Sequence, residues 1–391
     1  MTMTAAVDDL QRLTVKNFGP IVEADVEFGD LTVLVGPQAT GKSVFLQLLK
    51  LLVDTAIIHQ EFARHEIDWR NNLNDLFEIY FGEGMSRIFS KESQVFVDDK
   101  PLPLEGLAKP QLSSASSERI FYIPAQRVLS MRDGVTHPFT DYRAGDPFCL
   151  REFSEKLHVL VQGEFVTGKF FPQTNRLKKC LRNLVEGQIY GNLSLIKDSS
   201  GYQKRIVLET REKARLPYLV WSAGQREFTP LLLGFYWLLP PSKTPRRQAL
   251  RWAIVEEPEM GLHPNAISAT LAIVLELLAR GYRVCISTHS PHVLDVIWAL
   301  RFLIEHGGRR EDVKDMLGLK GSGADKIANA ALQKNYRTYF FSHHQPVIDI
   351  SSLDPGAEKP EISGWGGLTG FSGHVGEIVA RVARRWEEHA A

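Results

Sequence analysis

A glycine-rich stretch, GPQATGKS, occupies residues 36–43 between an apolar run and a run that favours a helix. It fits the pattern G-x-x-x-x-G-K-[ST] at every fixed position. Glycines let successive backbone N–H groups turn inward around phosphate oxygens, and the start of the following helix adds a positive dipole. In this chemistry Lys42 reaches the β- and γ-phosphates of a nucleotide, and the Ser43 hydroxyl coordinates Mg²⁺. The pattern therefore favours a phosphate site over an ordinary glycine turn with a surface lysine.

A second stretch supplies the acids that such a loop requires. An apolar run, residues 252–255, leads directly into Glu256 and Glu257. Adjacent residues of a strand point to opposite faces, so the two carboxylates can take different roles. We expect Glu256 to face the magnesium ion and Glu257 to reach the attacking water. The alternative is a strand that ends in two solvated acids.

Two further stretches carry groups that suit phosphate chemistry. SAGQRE, residues 222–227, precedes an apolar helix, and its Ser and Gly backbone can form a second anion cradle at a helix start. STHSPH, residues 287–292, follows an apolar strand and places His289 where it can hydrogen-bond a γ-phosphate. A lone histidine after a strand is usually structural. Its position shortly after the acidic strand favours the functional interpretation.

Strands that alternate with helices must position these stretches. Leu10–Val15 and Ala24–Phe28 predict a hairpin, Leu31–Val35 a buried strand, and a helix begins at Lys42 and runs towards Ile58. Further expected strands lie at 93–99, 119–127, 252–256 and 283–288, and further helices at 152–162, 174–186, 223–239 and 265–279. A loop is expected at 109–118 and a hairpin around 199–201. This alternation is typical of an α/β fold with a parallel-type sheet. No internal repeat or long heptad run is evident.

The length and composition of the chain limit the classes of protein to which it can belong. A chain of 391 residues suits two or three compact lobes or one large domain with insertions. Its 46 basic and 46 acidic side chains leave no net charge, so any nucleic-acid site must be a local patch. The cysteines Cys149, Cys180 and Cys285 are scattered and odd in number, which fits a reducing compartment. The start of the chain lacks a signal-peptide pattern, and the longest apolar run, residues 228–239, is too short to span a bilayer. We expect a soluble, cytoplasmic protein without a membrane partner.

The order of the motifs resembles the ABC-type ATPase head. GPQATGKS, YIPAQR, SAGQ, VEEPEMGLHP and STHSPH follow one another as in that family, and more narrowly as in the OLD/RecF/SMC-like branch of soluble ATPases. LTVKNFGPI near the start is similar to the N-terminal hairpin of that branch. The resemblance extends from about residue 10 to residue 300. It implies an α/β P-loop NTPase head with a mixed central sheet, an N-terminal antiparallel hairpin, a helical and β insert lobe and a small αβ C-terminal cap.

The resemblance also implies roles for individual residues. ATP would be bound by Gly36, Pro37, Gln38, Ala39, Thr40, Gly41, Lys42, Ser43 and Val44. Gln126 is similar to the Q-loop glutamine that senses magnesium and water, and Ser222 and Gly224 are similar to signature residues that complete the site across a dimer. Lys42, Gln126, Glu257 and His289 would form the catalytic set, and Ser43, Gln126 and Glu256 the Mg²⁺ set.

Two departures from the family pattern matter. Glu256 stands where an Asp is more usual, which alters the reach to magnesium. Trp221 and Ala223 replace the usual leading Leu and second Gly of the signature, which weakens its expected contact across a dimer.

The expected domain division follows the same resemblance. Residues 1–127 and 220–300 would form the two parts of the ATPase head, residues 128–219 the insert lobe, and residues 301–391 the cap. We expect Trp365 and Phe371 to pack this cap on the head. Relatives with a nuclease carry a TOPRIM domain after the head, and that domain requires a D-x-D cluster. The sequence beyond His289 has no D-x-D, so a nuclease in this chain is not expected.

Four functions remain open from the sequence. In the first, ATP closes two heads into a homodimer, and this switch controls a separate effector, as in bacterial anti-phage defence or toxin-type systems. In the second, a DNA-repair or chromosome-maintenance head clamps DNA directly, using basic residues such as Arg176, Lys178, Lys179 and Arg182 or the stretch 242–251. The third is a transporter subunit, which the EEPE–LHP and THSP motifs disfavour. The fourth is a binding module with an inactive ATP site.

Overall fold

The computed structural model describes residues 10–111, 117–165, 168–199, 204–241, 246–247 and 249–390. Three sequence expectations fall partly outside the described residues: the loop around 109–118, the turn around 199–201 and the basic stretch 242–251. The same holds for the side chain of Phe371, which the sequence suggested as a contact between the cap and the head.

A mixed six-stranded sheet forms the centre of the fold. Its strands in spatial order are β16 (Ile348–Asp349), β15 (Tyr336–Phe340), β3 (Leu31–Val35), β14 (Arg283–Thr288), β13 (Trp252–Glu256) and β6 (Ile120–Ile123). All neighbours pair in parallel except β16, which runs antiparallel to β15. Parallel strands are covered on both faces, which explains why every residue of β3 and β13 is buried.

Two hydrophobic cores lie on opposite faces of this sheet. Val33 and Val35 contribute to one core, whereas Leu34 contributes to the other. This alternation follows from the period of two in a strand. The helices that surround the sheets are α1 (Lys42–Arg64), α2 (Leu73–Phe81), α3 (Phe148–Gly163), α4 (Lys179–Val185), α5 (Ala223–Leu238), α6 (Pro264–Ala279), α7 (Pro291–Glu305), α8 (Arg310–Leu317), α9 (Ala324–Ala331), α10 (Pro360–Ser363) and α11 (Gly370–Ala390).

Two antiparallel sheets and one short hairpin complete the fold. The N-terminal sheet has the order β2 (Ile21–Glu27), β1 (Arg12–Phe18), β4 (Phe89–Val97) and β5 (Lys100–Pro101). The second sheet has the order β12 (Arg215–Leu216), β11 (Arg205–Glu209), β10 (Ser194–Asp198) and β9 (Lys169–Phe171). The hairpin consists of β7 (Met131–Arg132) and β8 (Val135–Thr136). The mixed α/β architecture and the N-terminal hairpin expected from the sequence are therefore present.

The C-terminal part of the chain contributes to the central sheet. β15 pairs with β3, the strand that leads into the glycine loop, although the sequence placed this segment in a separate cap. A strand of five residues carries no local mark of its distant partner, so the pattern alone could not place β15. Trp365 is buried as expected, and its Nε1 donates to Asp295 Oδ1 at 2.7 Å, which joins the last helices to α7.

The helix expected over 174–186 begins only at Lys179. Arg176 precedes it and is 3% exposed, with its guanidinium donating to the Tyr236 carbonyl and to Glu164 Oε2, both at 2.7 Å. Lys178 pairs with Glu276. These two cations therefore hold the insert against α5 and α6 instead of forming a basic helix face.

The first helix, α1, is long and apolar enough to cross a membrane by length and composition alone. Its most apolar window is 67% buried inside the fold, and the helix begins at Lys42 of the glycine loop. The core helix of a soluble protein has the same properties.

Candidate functional site

The glycine loop links the buried strand β3 to α1. Gly36 has φ 143°, and a Cβ placed there would lie 1.9 Å from the Phe341 carbonyl oxygen. Gly41 caps the helix with φ 98°, and a Cβ there would lie 2.6 Å from Ile21 Cγ1. Both glycines are therefore required by the backbone conformation and by the close approach of neighbouring chain. Sequence analysis could not identify Phe341 as a partner of the loop.

Lys42 lies inside this loop and is 5% exposed. Its Nζ donates to the carbonyl oxygens of Gly36 at 2.8 Å and Pro37 at 2.6 Å. Burial lowers the pKa of Lys42 to about 8, while the nearby Glu257, Glu256 and Glu259 oppose that shift. These hydrogen bonds hold the ammonium within the glycine loop, where a bound phosphate group would contact it.

The remaining loop residues differ in exposure. Thr40 is buried and its hydroxyl donates to the Pro37 carbonyl at 2.9 Å, which closes the turn. Ala39 adopts a positive φ of 57°. Exposed side chains are those of Pro37, Gln38 and Ala39, and half-buried ones are those of Ser43 and Val44.

Glu256 ends β13 and is 1% exposed. Its Oε2 accepts a hydrogen bond from the Ala125 N–H at 3.1 Å, and the Ser43 hydroxyl lies near the carboxylate. Its Oε1 is buried and has no hydrogen-bond partner among the residues that the structure describes. Burial raises the pKa of Glu256, although the nearby Ser43 hydroxyl, the Ala125 N–H and the Tyr122 hydroxyl favour its charged form.

This carboxylate and hydroxyl fit a magnesium ion. Mg²⁺ prefers oxygen ligands and is usually bound by one or two carboxylates together with substrate phosphates and water. Glu256 offers a buried, unpartnered oxygen next to Ser43. Within the described ranges, no group of three or more His, Cys, Asp or Glu side chains could hold a metal, so phosphates and water would have to supply the other ligands.

Glu257 follows the strand with φ 43°, in the left-handed region. Its N–H donates to the Ser287 carbonyl at 2.9 Å, and its Oε1 lies 3.3 Å from His289 Nε2. The His289 imidazole holds the pKa of Glu257 below its usual range, against the effect of burial. The structure thus brings the acidic stretch and the histidine stretch together, as side chains at the ends of the neighbouring strands β13 and β14.

Arg127 joins this turn to α5 and was missed by sequence analysis. It is fully buried, and its guanidinium donates to the carbonyls of Glu256 at 2.9 Å and Glu257 at 3.1 Å. It also donates to the Glu227 carbonyl, at 3.3 Å. Its only signal in the sequence is its place in the YIPAQR motif, directly after Gln126.

Gln126 itself has an exposed side chain in the short 3-10 helix Ala125–Ser130. The N–H of its neighbour Ala125 contacts Glu256, so the backbone of this loop reaches the acidic strand end. The role of the Gln126 side chain stays a prediction.

Ser222 and Gly224 lie at the start of α5. The Ser222 hydroxyl accepts from the Gln225 N–H at 3.2 Å, and the Gln225 side chain accepts from the Ser222 N–H at 3.1 Å. This reciprocal capping box explains why the helix begins here. A Cβ at Gly224 would lie 3.1 Å from the Gly261 carbonyl oxygen, so the helix start packs on the loop that follows Glu257.

Comparisons with known proteins agree with a nucleotide site. Residues 9–132 match the family model described as an AAA ATPase domain. Residues 170–295 match the model described as an AAA domain, putative AbiEii toxin, Type IV TA system. A search of curated proteins finds no match. The two family matches contain all five motifs and support an ATPase of the ABC/AAA type.

Solved structures of low similarity were also found. An SMC head domain from Thermotoga maritima is 11% identical, with 87% of this chain and 98% of that chain covered and a TM-score of 0.33. An SMC head bound to the C-terminal winged-helix domain of ScpA is 10% identical, with 73% and 91% covered and a TM-score of 0.39. Both TM-scores lie below 0.5, so neither likeness bears on function.

Proposed function

We propose that this chain binds ATP together with Mg²⁺ and hydrolyses it. The observation that carries the proposal is the convergence of Lys42, Glu257 and His289 at the carboxyl ends of three adjacent strands, β3, β13 and β14. Ligands of parallel α/β sheets bind at that edge. The glycine loop supplies the phosphate cradle, and the two family matches support the same activity.

The side chains divide the work of phosphoryl transfer. Lys42 would offset charge on the β- and γ-phosphates, while Glu256 and Ser43 would hold Mg²⁺, which neutralises charge on the transferred group. Glu257 would accept a hydrogen bond from the attacking water through its carboxylate, whose pKa the nearby His289 lowers. The His289 imidazole would also face the γ-phosphate. Arg127 would keep the backbone of the acidic turn in place.

Substitution of the water-orienting carboxylate tests this assignment. Glu257→Gln keeps the size of the side chain but removes its charge, so we expect ATP to bind with little change while hydrolysis falls at least about 100-fold. Lys42→Ala should instead weaken ATP binding. Glu305→Gln, an exposed change at the far end of α7, is the matched control and should behave as wild type. Undiminished hydrolysis in Glu257→Gln would remove Glu257 from the mechanism.

The proposal extends to a homodimeric switch. Ser222 is exposed at the start of α5, where the signature of the ABC-type family completes the site of a second head. ATP would then favour the closed pair and hydrolysis would release it, as a ligand-driven shift between two states. We expect Glu257→Gln, purified with Mg-ATP, to have the native mass of at least two chains. A monomer under these conditions would exclude the signature role of Ser222 and Gly224.

A separate effector protein is the proposed output, in a bacterial defence or toxin-type system. An open cleft of about 890 Å³ lies beside the start of α5, between that helix and the loop after Arg127. Large apolar side chains are exposed here: Leu129 is 57% exposed, Leu219 72% and Val220 63%. This surface supports a protein partner that senses the nucleotide state. A third component in the native mass of Glu257→Gln from its own host, lost in Leu219→Glu, is the expected result.

Direct clamping of DNA is the weaker alternative. Arg176 and Lys178, two of the basic residues considered for it, form internal contacts with Glu164 and Glu276. A duplex that stimulates hydrolysis would nevertheless favour this alternative over the effector switch.

A further inference from the structure

A third acid of the EEPE stretch, Glu259, is not used by the proposed mechanism. Its Oε1 accepts two hydrogen bonds, from the Thr288 hydroxyl at 2.8 Å and from the His289 N–H at 2.7 Å. Its Oε2 is buried and has no hydrogen-bond partner among the residues described. One carboxylate oxygen thus binds two consecutive residues, Thr288 at the end of β14 and His289 directly after it.

Hydrogen bonds join the turn that follows β13 to the end of β14 and the residues after it. The first link is the Glu257 N–H, which donates to the Ser287 carbonyl at 2.9 Å. Thr288 extends the second link, because its hydroxyl oxygen also accepts from the Ser290 N–H at 3.0 Å, at the start of α7. Glu259 therefore fixes the backbone on both sides of the His289 side chain.

The same arrangement sets the distance between the two catalytic groups. His289 Nε2 and Glu257 Oε1 are 3.3 Å apart, and both side chains are about one-quarter exposed. Side chains of that exposure are not held by packing alone. The direction of the imidazole must come from the backbone that carries it, and that backbone is bonded to Glu259.

We propose that Glu259 is a positioning residue that acts through His289, holding the imidazole against Glu257. This inference rests on the proposed function, since it concerns the same hydrolytic site. A carboxylate suits the role because it accepts only, and charge-assisted bonds to N–H and O–H donors are stronger than neutral ones. Gln at this position could still accept both bonds through its amide oxygen, whereas Ala could accept neither.

A double-mutant cycle in steady-state ATP hydrolysis tests the inference. We expect Glu259→Ala to lower kcat about 10- to 100-fold, as substitutions of supporting residues commonly do, with KM for ATP changed less than about threefold. Glu259→Gln should recover most of the lost rate, and Thr288→Val, which removes one of the two donors, should have a smaller effect than Glu259→Ala. The double variant Glu259→Ala/His289→Ala should be no slower than His289→Ala alone.

The outcomes separate this inference from the proposed function. Absence of hydrolysis in the wild-type chain would contradict the proposed function. An active wild type in which the Glu259 and His289 losses multiply would overturn the positioning role alone, as would equal losses in Glu259→Gln and Glu259→Ala. A fall in the unfolding temperature of Glu259→Ala with unchanged kcat at low temperature would also overturn it, because the residue would then serve stability only.

Discussion

Glu257 Oε1 lies 3.3 Å from His289 Nε2, although the two residues belong to loops that follow different strands. The pairing of β13 with β14 is parallel and sets Glu256 opposite Ser287, so the residues that follow each strand meet at one edge. The contact joins the residue proposed to orient water with the residue proposed to sense the γ-phosphate. The imidazole therefore affects the charge state of Glu257.

Removal of the imidazole should move the acid limb of the pH–rate profile. His289 is the largest of the influences that hold the pKa of Glu257 below its usual range. In His289→Ala the pKa of Glu257 should rise, so the carboxylate becomes protonated, and activity is lost, at a higher pH than in wild type. The measurement is kcat/KM for ATP as a function of pH, normalised to the plateau of each protein.

His292→Ala is the control for this shift. His292 lies three residues further on, in the first turn of α7, but its Nε2 is 2.8 Å from the Ser268 hydroxyl on α6 and it does not touch Glu257 in the structure. Its acid limb should coincide with that of wild type. A His289→Ala limb at the wild-type position, or at lower pH, would contradict the electrostatic link.

Gly36→Ala should destabilise the fold and weaken ATP binding. The added Cβ would lie 1.9 Å from the Phe341 carbonyl oxygen, so β15 and the glycine loop would have to separate. We expect the free energy of unfolding to fall by about 3 kcal/mol or more. Gly84→Ala tests the effect of positive φ alone, because its φ is 86° but nothing lies within 4 Å of the added Cβ. Chemical denaturation should give it a loss of only about 1–2 kcal/mol.

Arg127→Met should reduce both stability and turnover. The change removes a buried guanidinium and one hydrogen-bond donor from each of the carbonyls of Glu256, Glu257 and Glu227. We expect a loss of about 3 kcal/mol, typical of bonds to a charged group, together with a lower kcat because the acidic turn is released. Arg132→Met, a change of a largely exposed side chain, should alter neither. A variant as active and stable as wild type would show that the turn holds its own shape.

Local pattern was enough to predict the parts of the site that lie within one strand and the turn after it. The glycine loop, the acids at 256 and 257 and the histidine at 289 each follow a buried strand, and buried strands are visible as short apolar runs. Parallel strands then bring their carboxyl ends to one edge, which is a general rule and needs no knowledge of the partner.

Contacts between distant segments could not be predicted in this way. Arg127 is buried by residues about 100 and 130 positions away, and Phe341 approaches Gly36 from the far end of the chain. The helix α2 was also missed. It lies in a polar, aromatic-rich stretch, and its buried side chains belong to the hydrophobic core that contains Leu34. Each of these features depends on which surfaces meet, and a single sequence records only the residues on each surface.

A buried charge cluster behind α1 is another such feature. Lys50 is fully buried and its Nζ donates to Asp54 Oδ2 and Glu118 Oε1, both at 2.9 Å, and to the Ile120 carbonyl at 2.6 Å. Glu152 of α3 lies 3.2 Å away and also pairs with Lys156. Asp54 in turn accepts the N–H of Arg119 and Ile120, which fixes β6 against the helix of the glycine loop.

Lys50→Met should therefore destabilise the protein strongly, and more so at high pH. Removal of one partner of a buried ionic network leaves uncompensated charge and costs about 3–5 kcal/mol. Burial already raises the pKa of Asp54 and of Glu152, and loss of the lysine should raise both further. A carboxyl group whose folded pKa is raised destabilises the fold when ionised, and this penalty falls as pH decreases through that pKa. The difference in unfolding free energy between wild type and Lys50→Met should accordingly shrink from neutral to mildly acidic pH.

Lys334→Met, which breaks a partly exposed pair with Asp30, is the control and should cost about 1 kcal/mol or less. A Lys50→Met penalty that is constant with pH would show that the carboxylates are not left charged, and that the loss comes from packing alone.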